Sequence, residues 1–110
     1  MKVTITSIEL KGPMKFFLLS SRALKVIKQL KTTNFKDFKS TGFWTKHYTM
    51  TLWNNEAELK EFARSGPHLD AMKKSKEIAK EIRTYTYDAN VLPTWKEGKK
   101  LLENAKVLNF

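Results

Sequence analysis

The chain has 110 residues, no cysteine, and 21 lysine and arginine side chains against 11 aspartate and glutamate, a formal net charge of +10. At roughly 100–200 residues per domain, residues 1–110 are expected to form a single domain. The 41% apolar content, with seven Phe, three Trp and three Tyr, excludes a disordered chain, and the lack of cysteine excludes disulfide scaffolds, thiolate metal sites and a cysteine nucleophile.

The basic charge is concentrated in the first half of the chain. Residues 1–55 carry ten basic and two acidic side chains, whereas residues 56–110 carry eleven and nine. Such a bias raises the question of an anionic partner. The longest apolar run near the start has four residues, from Phe16 to Leu19. A signal peptide needs ~7–15 and a spanning helix ~20. We therefore expect a cytoplasmic protein with no membrane partner.

The chain opens with a predicted strand over residues 3–10, rich in β-branched side chains. Val3 and Ile5 lie on one face of this strand and Ile8 and Leu10 on the other, so a bulge or a strand end is predicted near Ser7.

Residues 14–31 are predicted to form a helix, because their apolar side chains fall within an arc of about 100°. Ser20 and Ser21 leave open a later start of this helix. Leu18 and Leu24 lie away from the apolar arc, which would suit a contact with a partner subunit. The arc comprises Phe16, Leu19, Ala23, Val26, Ile27 and Leu30.

The remaining strands and helices are predicted from the alternation of side chains along strands and from helix-capping residues. Residues 34–41 are predicted to be a strand that ends in a turn at Thr41-Gly42, and residues 45–53 a second strand. A helix is predicted after a cap at Asn54 or Asn55, as far as a break at Ser65-Gly66-Pro67, and a second helical piece follows at about 68–80. A strand at 83–87 and a helix at 95–104 complete the chain. In the second strand Tyr48, Met50 and Leu52 point one way, while His47, Thr49, Thr51 and Trp53 point the other.

The order β-α-β-β-α-β plus a C-terminal helix predicts an α+β ferredoxin-like sandwich with an antiparallel sheet. Helices on one face leave the other face of such a sheet to be buried. Neither row of the 45–53 strand is charged, so the sequence predicts a homodimer formed through the sheet.

The segment from Thr49 to Met72 resembles the dimeric α+β-barrel superfamily. Within that superfamily it is similar to the branch of antibiotic-biosynthesis-monooxygenase-like proteins, including spheroidene-monooxygenase-like ones. The shared features are a strand that ends in Trp53, an acidic helix start, Phe62 one helix later, and a small-residue break before His68. The resemblance covers residues 35–88. It implies a homodimer whose eight strands form a barrel, with a pocket between each sheet and its helices.

The haem-degrading members of this superfamily provide a test of the cofactor. They carry a second tryptophan and a ligating histidine where this sequence has Phe62 and Met72, and their first-strand asparagine has no counterpart in residues 3–10. No cofactor is therefore expected, although haem and flavin stay open to spectroscopic test. With only two histidines in the chain, no metal site is expected.

His68, with Tyr87, is the candidate for proton transfer, because the ordinary pKa of an imidazole lies near working pH. His47 is interpreted as a solvated strand end. The substrate pocket is predicted to be lined by Trp53, Phe62, Met72, Phe43 and Trp44. The resemblance, taken with these residues, implies a monooxygenase-like protein that acts on a small planar apolar organic molecule. The alternative is a non-catalytic binding or structural dimer of the same fold.

A third hypothesis is single-stranded nucleic-acid binding. It rests on the basic side chains between Arg22 and Lys39 and on the aromatic residues Phe35, Phe38 and Phe43. The sequence around Lys36 to Gly42 does not match the aromatic signature of ferredoxin-like RNA binders. Nucleic acid is therefore not expected as a partner.

Overall fold

The computed structural model of the protein describes residues 1–109, apart from the side chain of Phe43. The strands are β1 (Lys2–Leu10), β2 (Asp37–Phe43), β3 (Lys46–Trp53), β4 (Ala79–Asp88) and β5 (Lys106–Asn109). The helices are α1 (Phe16–Leu30), α2 (Glu56–Ala63), α3 (Gly66–Lys73) and α4 (Trp95–Leu102). The sheet order is β2-β3-β1-β4-β5, and every neighbouring pair is antiparallel. The predicted ferredoxin-like α+β fold with a C-terminal helix is confirmed, and β5 is an edge strand that the sequence analysis missed.

The bulge in β1 lies between Glu9 and Leu10, so its predicted position near Ser7 was wrong. Ser7 continues the buried row of Val3 and Ile5. The apolar pattern changes face at Ile8 because helices cover both faces of the sheet, and a strand covered on both sides accepts apolar residues on both.

One face of the sheet packs against α4. Met50 and Leu52 of β3 form a buried cluster there with Leu102 of α4. Helix α4 approaches closely because Gly98 faces the sheet, and a Cβ atom at this position would overlap the Met50 methyl group. The chain's own C-terminal helix therefore covers one of the two rows of β3 that were candidates for burial in a dimer, the row of Tyr48, Met50 and Leu52.

Helix α1 crosses the opposite face of the sheet. It begins at Phe16, after a single 3-10 turn that starts at Pro13, so the later start at Ser20 is wrong. The Phe16 ring lies 5.5 Å from the His47 ring at the start of β3, and Leu30 packs against Trp53 at its end. With its two ends held in this way, α1 runs alongside β3. No helix in residues 1–109 is long and apolar enough to cross a membrane.

The β2–β3 hairpin turns at Trp44-Thr45, three residues later than predicted. Gly42 stays in the strand, where the His47 imidazole lies against it and leaves no room for a Cβ atom. The His47 ring nitrogen Nε2 is 3.1 Å from the carbonyl oxygen of Trp44, a contact that holds the turn.

Helices α2 and α3 are separated by one short break. Asn55 caps α2 by accepting the backbone N–H of Glu58 at 2.9 Å. Gly66, at a φ of +57°, begins α3. Helix α3 ends at Lys73 rather than at the predicted Lys80, because β4 begins at Ala79 to pair with β1.

Candidate functional site

Three aromatic side chains form a continuous stack between the end of β3 and the start of α3. The ring centroids of Trp53 and Phe62 are 5.2 Å apart, and those of Phe62 and His68 are 4.9 Å apart. Trp53 is completely buried and His68 half-buried. The stack arises because Trp53, at the end of β3, points to the face of the sheet that α1 and α2 cover, where the inner face of α2 presents Phe62.

His68 is held as a neutral imidazole with a defined tautomer. Its Nδ1 lies 3.0 Å from the carbonyl oxygen of Ala63. A carbonyl oxygen only accepts hydrogen bonds, so Nδ1 carries the hydrogen and Nε2 keeps its lone pair. Burial lowers the pKa of His68 below its ordinary value of 6.5, and the hydrogen bond to Ala63 opposes part of this shift. At neutral pH the ring is therefore a base rather than a cation.

Gln29 of α1 joins the three helices at this point. Its Oε1 accepts the backbone N–H of His68 at 2.8 Å, and its Nε2 donates to the carbonyl oxygens of Ser65 at 2.8 Å and Phe62 at 3.2 Å. Gln29 was not among the site residues predicted from the sequence. An uncharged polar side chain among the lysines of α1, next to the buried Leu30, was the available signal.

A groove of about 530 Å³ lies beside the stack, between the end of α1, the loop that follows it, and α2. Trp53 and Phe62 line it, and the Trp53 indole Nε1 is a buried donor with no hydrogen-bond partner among the described residues. A buried unpaired donor costs about 1–3 kcal/mol, so such groups are unusual in native structures. Polar side chains contribute much of the remaining wall: Gln29, Thr32, Thr33, Asn34, Glu58 and Glu61.

Six threonines form a regular array on the same face of the sheet as Trp53, opposite to the face that α4 covers. We call this array the threonine face. Three strands each contribute a Thr-x-Thr pair: Thr4 and Thr6, Thr49 and Thr51, Thr84 and Thr86. The strand register aligns them in two rows of three across the sheet. Thr49, Thr84 and Thr86 are exposed, and the inner side chains of α1 are mostly only half-buried. The helices therefore cover this face incompletely.

No family model matches the sequence, and no curated protein matches it. Among solved structures, an antibiotic biosynthesis monooxygenase superposes with a TM-score of 0.72 at 9% identity, covering 83% of this chain and 100% of the other. SnoaB, a cofactor-independent oxygenase from Streptomyces nogalater, superposes with a TM-score of 0.65 at 8% identity, covering 84% of this chain and 96% of the other. The chain has the fold of the antibiotic biosynthesis monooxygenases. A conserved protein from Methanosarcina mazei Go1 superposes with a TM-score of 0.72 at 15% identity, covering 81% of this chain and 92% of the other. At these identities the similarity concerns the fold alone.

Within this fold, Tyr87 lies on the opposite face of the sheet from His68. Tyr87 pairs in register with Val3, whereas Trp53 pairs with Lys2, the neighbour of Val3. Successive residues of a strand point to opposite faces, so Tyr87 faces α4 and Trp53 faces α1 and α2. Burial raises the pKa of Tyr87 above its ordinary value of 10.0. The structure therefore does not bring Tyr87 and His68 together.

Two of the predicted pocket residues lie away from the groove. Met72, at the end of α3, is 43% exposed, and Trp44, at the tip of the β2–β3 hairpin, is 69% exposed. Their apolar character suited a pocket wall, but a hairpin tip and a helix end are the positions that solvent reaches. The side chain of Phe43 lies outside the described part of the structure.

The aromatic residues expected to stack on nucleic-acid bases have a different role in this fold. Phe35 and Phe38 are partly buried and pack against the cluster of Leu30, Trp53 and Phe62. Residues 1–109 contain no cluster of three or more histidine or carboxylate side chains placed to hold a metal ion.

Proposed function

We propose that the protein binds a small planar organic molecule in the groove beside Trp53. The observation that carries this proposal is the buried Trp53 indole N–H, which has no partner in the described structure and belongs to a side chain that lines the groove. A ligand with a carbonyl or phenolate oxygen would accept this hydrogen, and its ring would gain aromatic contact with Trp53 and Phe62.

The reaction that best suits these groups is a monooxygenation in which the substrate itself reacts with oxygen. His68 Nε2 would remove a proton from an acidic C–H, and the resulting carbanion would react with O₂. One oxygen atom enters the substrate as a carbonyl, and the other leaves as water with the two hydrogens taken from the same carbon. The fold shared with SnoaB, which is described as a cofactor-independent oxygenase, supports this chemistry as a proposal for the present chain.

The alternative is a non-catalytic binding protein, and one contact favours it. The Phe62 ring lies between Trp53 and His68 in the stack, and His68 does not line the groove. Turnover therefore requires the Phe62 ring to turn aside, so that the bound molecule reaches Nε2. A pure binding protein needs no access to His68, and only the groove wall over the buried Trp53 N–H has to open for the ligand.

Binding is tested with naphthol as the probe, by calorimetry and by tryptophan fluorescence. Trp53→Phe keeps an aromatic ring but removes the indole N–H, so we expect naphthol affinity to fall about tenfold, as for the loss of one hydrogen bond. Trp44→Phe, at the exposed hairpin tip, is the matched control and should bind normally. Equal affinity in the two variants, or no binding by the wild type, would contradict the proposal.

Catalysis is tested separately with tetralone, a ketone with acidic C–H bonds, by measuring oxygen consumption. His68→Gln should abolish uptake while leaving naphthol affinity within about twofold, because His68 lies behind Phe62 and not in the groove wall. His47→Gln is the matched control. Binding without oxygen uptake by the wild type would favour the non-catalytic alternative. An absorption spectrum of the purified protein tests for haem or flavin.

The homodimer belongs to this proposal as well. Helix α4 covers the Met50 side of the sheet, so a partner subunit would use the incompletely covered threonine face, where the six threonines carry no charge. We place the protein in the cytoplasm in this proposal, since a cysteine-free chain needs no oxidising compartment.

A further inference from the structure

Helix α1 carries apolar side chains on the side that faces away from the sheet. Phe17 is 69% exposed and Leu24 is 63% exposed, and they lie seven residues apart, which places them on one stripe of the helix. Met14, in the turn before the helix, is 75% exposed, and Leu18, 43% exposed, lies at the edge of this side, where it lines a groove against Pro67 and Ala71 of α3. An apolar row of this kind, open to solvent, marks an interaction surface.

The same side of α1 is basic towards its C-terminal end. Lys25 and Lys28 are exposed, and Lys28 lies close to the stripe of Phe17 and Leu24. The chain contains no acidic residue between Glu9 and Asp37. We call Phe17, Leu18, Leu24, Lys25 and Lys28 the outer face of α1.

The acidic groups nearest to this surface are already paired elsewhere. Arg22 donates to Glu77 at 2.9 Å and to the carbonyl oxygen of Lys74 at 3.2 Å, which ties its charge to the segment after α3. Asp70 of α3 forms an ion pair with Lys74 at 3.3 Å. Lys25 lines the groove between α1 and α3 together with Asp70, so its charge is partly balanced there, whereas Lys28 lies outside that groove and presents its charge to whatever binds the outer face.

A helix surface with a solvent-exposed apolar row and adjacent lysines has the composition of an interfacial membrane helix. We propose that the outer face of α1 docks the protein onto an anionic phospholipid surface, with Phe17, Leu18 and Leu24 inserted among the acyl chains and Lys25 and Lys28 at the headgroups. Binding at a surface needs no spanning helix, so this proposal departs from the expectation of no membrane partner, which rested on the lack of a spanning segment.

Charge and composition favour lipid over the two other candidate occupants. A second copy docked through the same face would bring the lysines of both chains together, which like-charge repulsion opposes. A nucleic acid would use the lysines but gain little from Leu18, Leu24 and Met14, because bases stack on aromatic rings rather than on aliphatic chains.

The test is co-sedimentation of the full chain with vesicles at low salt. We expect binding to vesicles of equal parts phosphatidylcholine and phosphatidylglycerol and no binding to vesicles of phosphatidylcholine alone. Each lysine near an anionic surface contributes about 1 kcal/mol, so Lys25→Gln with Lys28→Gln should weaken binding roughly thirtyfold. The double variant Phe17→Ser with Leu24→Ser should weaken it at least about tenfold.

Control variants distinguish binding through this face from nonspecific adsorption of the protein to vesicles. Val91→Ser removes an exposed apolar side chain from the loop after β4, and Lys73→Gln with Lys76→Gln removes the same charge from the segment around α3. Both should bind vesicles like the wild type. All substituted positions are exposed, so every variant should keep the circular dichroism spectrum and melting temperature of the wild type.

Three outcomes would overturn the proposal. One is that the protein binds equally to both vesicle types, or binds to neither. Another is retention on single-stranded DNA that the lysine variant loses and the Phe17 and Leu24 variant keeps, which would assign the face to nucleic acid. The third is a change of the mass in solution caused by the Phe17 and Leu24 variant, which would assign it to a contact between copies.

Discussion

Gln29 holds the first turn of the helix that carries His68. Its side-chain Oε1 accepts the His68 backbone N–H at 2.8 Å, although the two residues are 39 positions apart in the sequence. Because the other end of the same amide donates to Ser65 and Phe62, a single side chain of α1 sets the position of both helices that follow β3.

Replacing Gln29 by leucine should therefore destabilise the protein and loosen α3. The change leaves the His68 N–H and the two carbonyl oxygens without their partner, and we expect a loss of about 2–3 kcal/mol in the free energy of unfolding. Urea denaturation measures this loss, and amide hydrogen exchange should rise in α3 more than in β1. Gln29→Glu keeps the acceptor but not the donor, so it should not restore the wild-type stability. Unchanged exchange in α3 would contradict the proposed bracing role.

His68 should make the stability depend on pH just below neutrality. Its pKa is lowered in the folded state, so the unfolded chain binds more protons below the ordinary value of 6.5, and stability falls as the pH drops through this window. Lys2 lowers the pKa of Asp88 and Arg83 lowers that of Glu81. These two carboxyl groups therefore reduce the stability only at more acidic pH, below their ordinary pKa values of 3.8 and 4.5.

The difference between wild type and His68→Gln isolates the histidine contribution. The variant should have a flatter stability curve in the pH range just below 6.5, and the two curves should run parallel at lower pH. Urea denaturation at several pH values measures both curves, and a proton NMR titration should place the His68 midpoint below 6.5. A midpoint above 6.5 would show that the ring is not held neutral.

Gly98 and Met50 should be energetically coupled, because α4 lies so close to β3 that a Cβ atom at Gly98 would overlap the Met50 methyl group. Gly98→Ala should cost about 1–3 kcal/mol as an overpacked contact, offset in part by the better helix propensity of alanine. In a double-mutant cycle with Met50→Ala, the two losses should combine to less than their sum by at least about 0.5 kcal/mol. Strict additivity would mean that the helix moves freely away from the sheet.

A charge on the threonine face should separate the subunits of the proposed homodimer. Thr86 is exposed on β4, so Thr86→Lys should fold normally but leave two like charges facing each other across the interface. Light scattering should give the wild type twice the chain mass of 12.8 kDa and the variant a single chain mass. Asn104→Lys, after α4, is the control and should stay dimeric. A wild type of single chain mass would rule out the homodimer.

Much of the fold could be predicted from local patterns. The alternation in residues 45–53 placed Met50 and Trp53 on opposite faces, and the strand register confirms this. A cap at Asn54 or Asn55 was predicted in the same way, because a cap is made within four residues of the chain, and Asn55 forms it. The candidate stack was found in part, since Trp53, Phe62 and His68 lie on consecutive elements joined by short connections.

The errors have a common physical origin. A period of 2 or 3.6 residues defines the faces of one element, but the partner of each face depends on pairing between distant segments. The sequence alone thus determined a cysteine-free, basic, ferredoxin-like chain with a helical basic segment. Only the tertiary structure decided that Tyr87 faces away from His68, that α4 covers Met50, and that Gln29 braces α3. It also decided that Phe17 and Leu24 face solvent, because burial is set by what packs against a helix and not by its own composition.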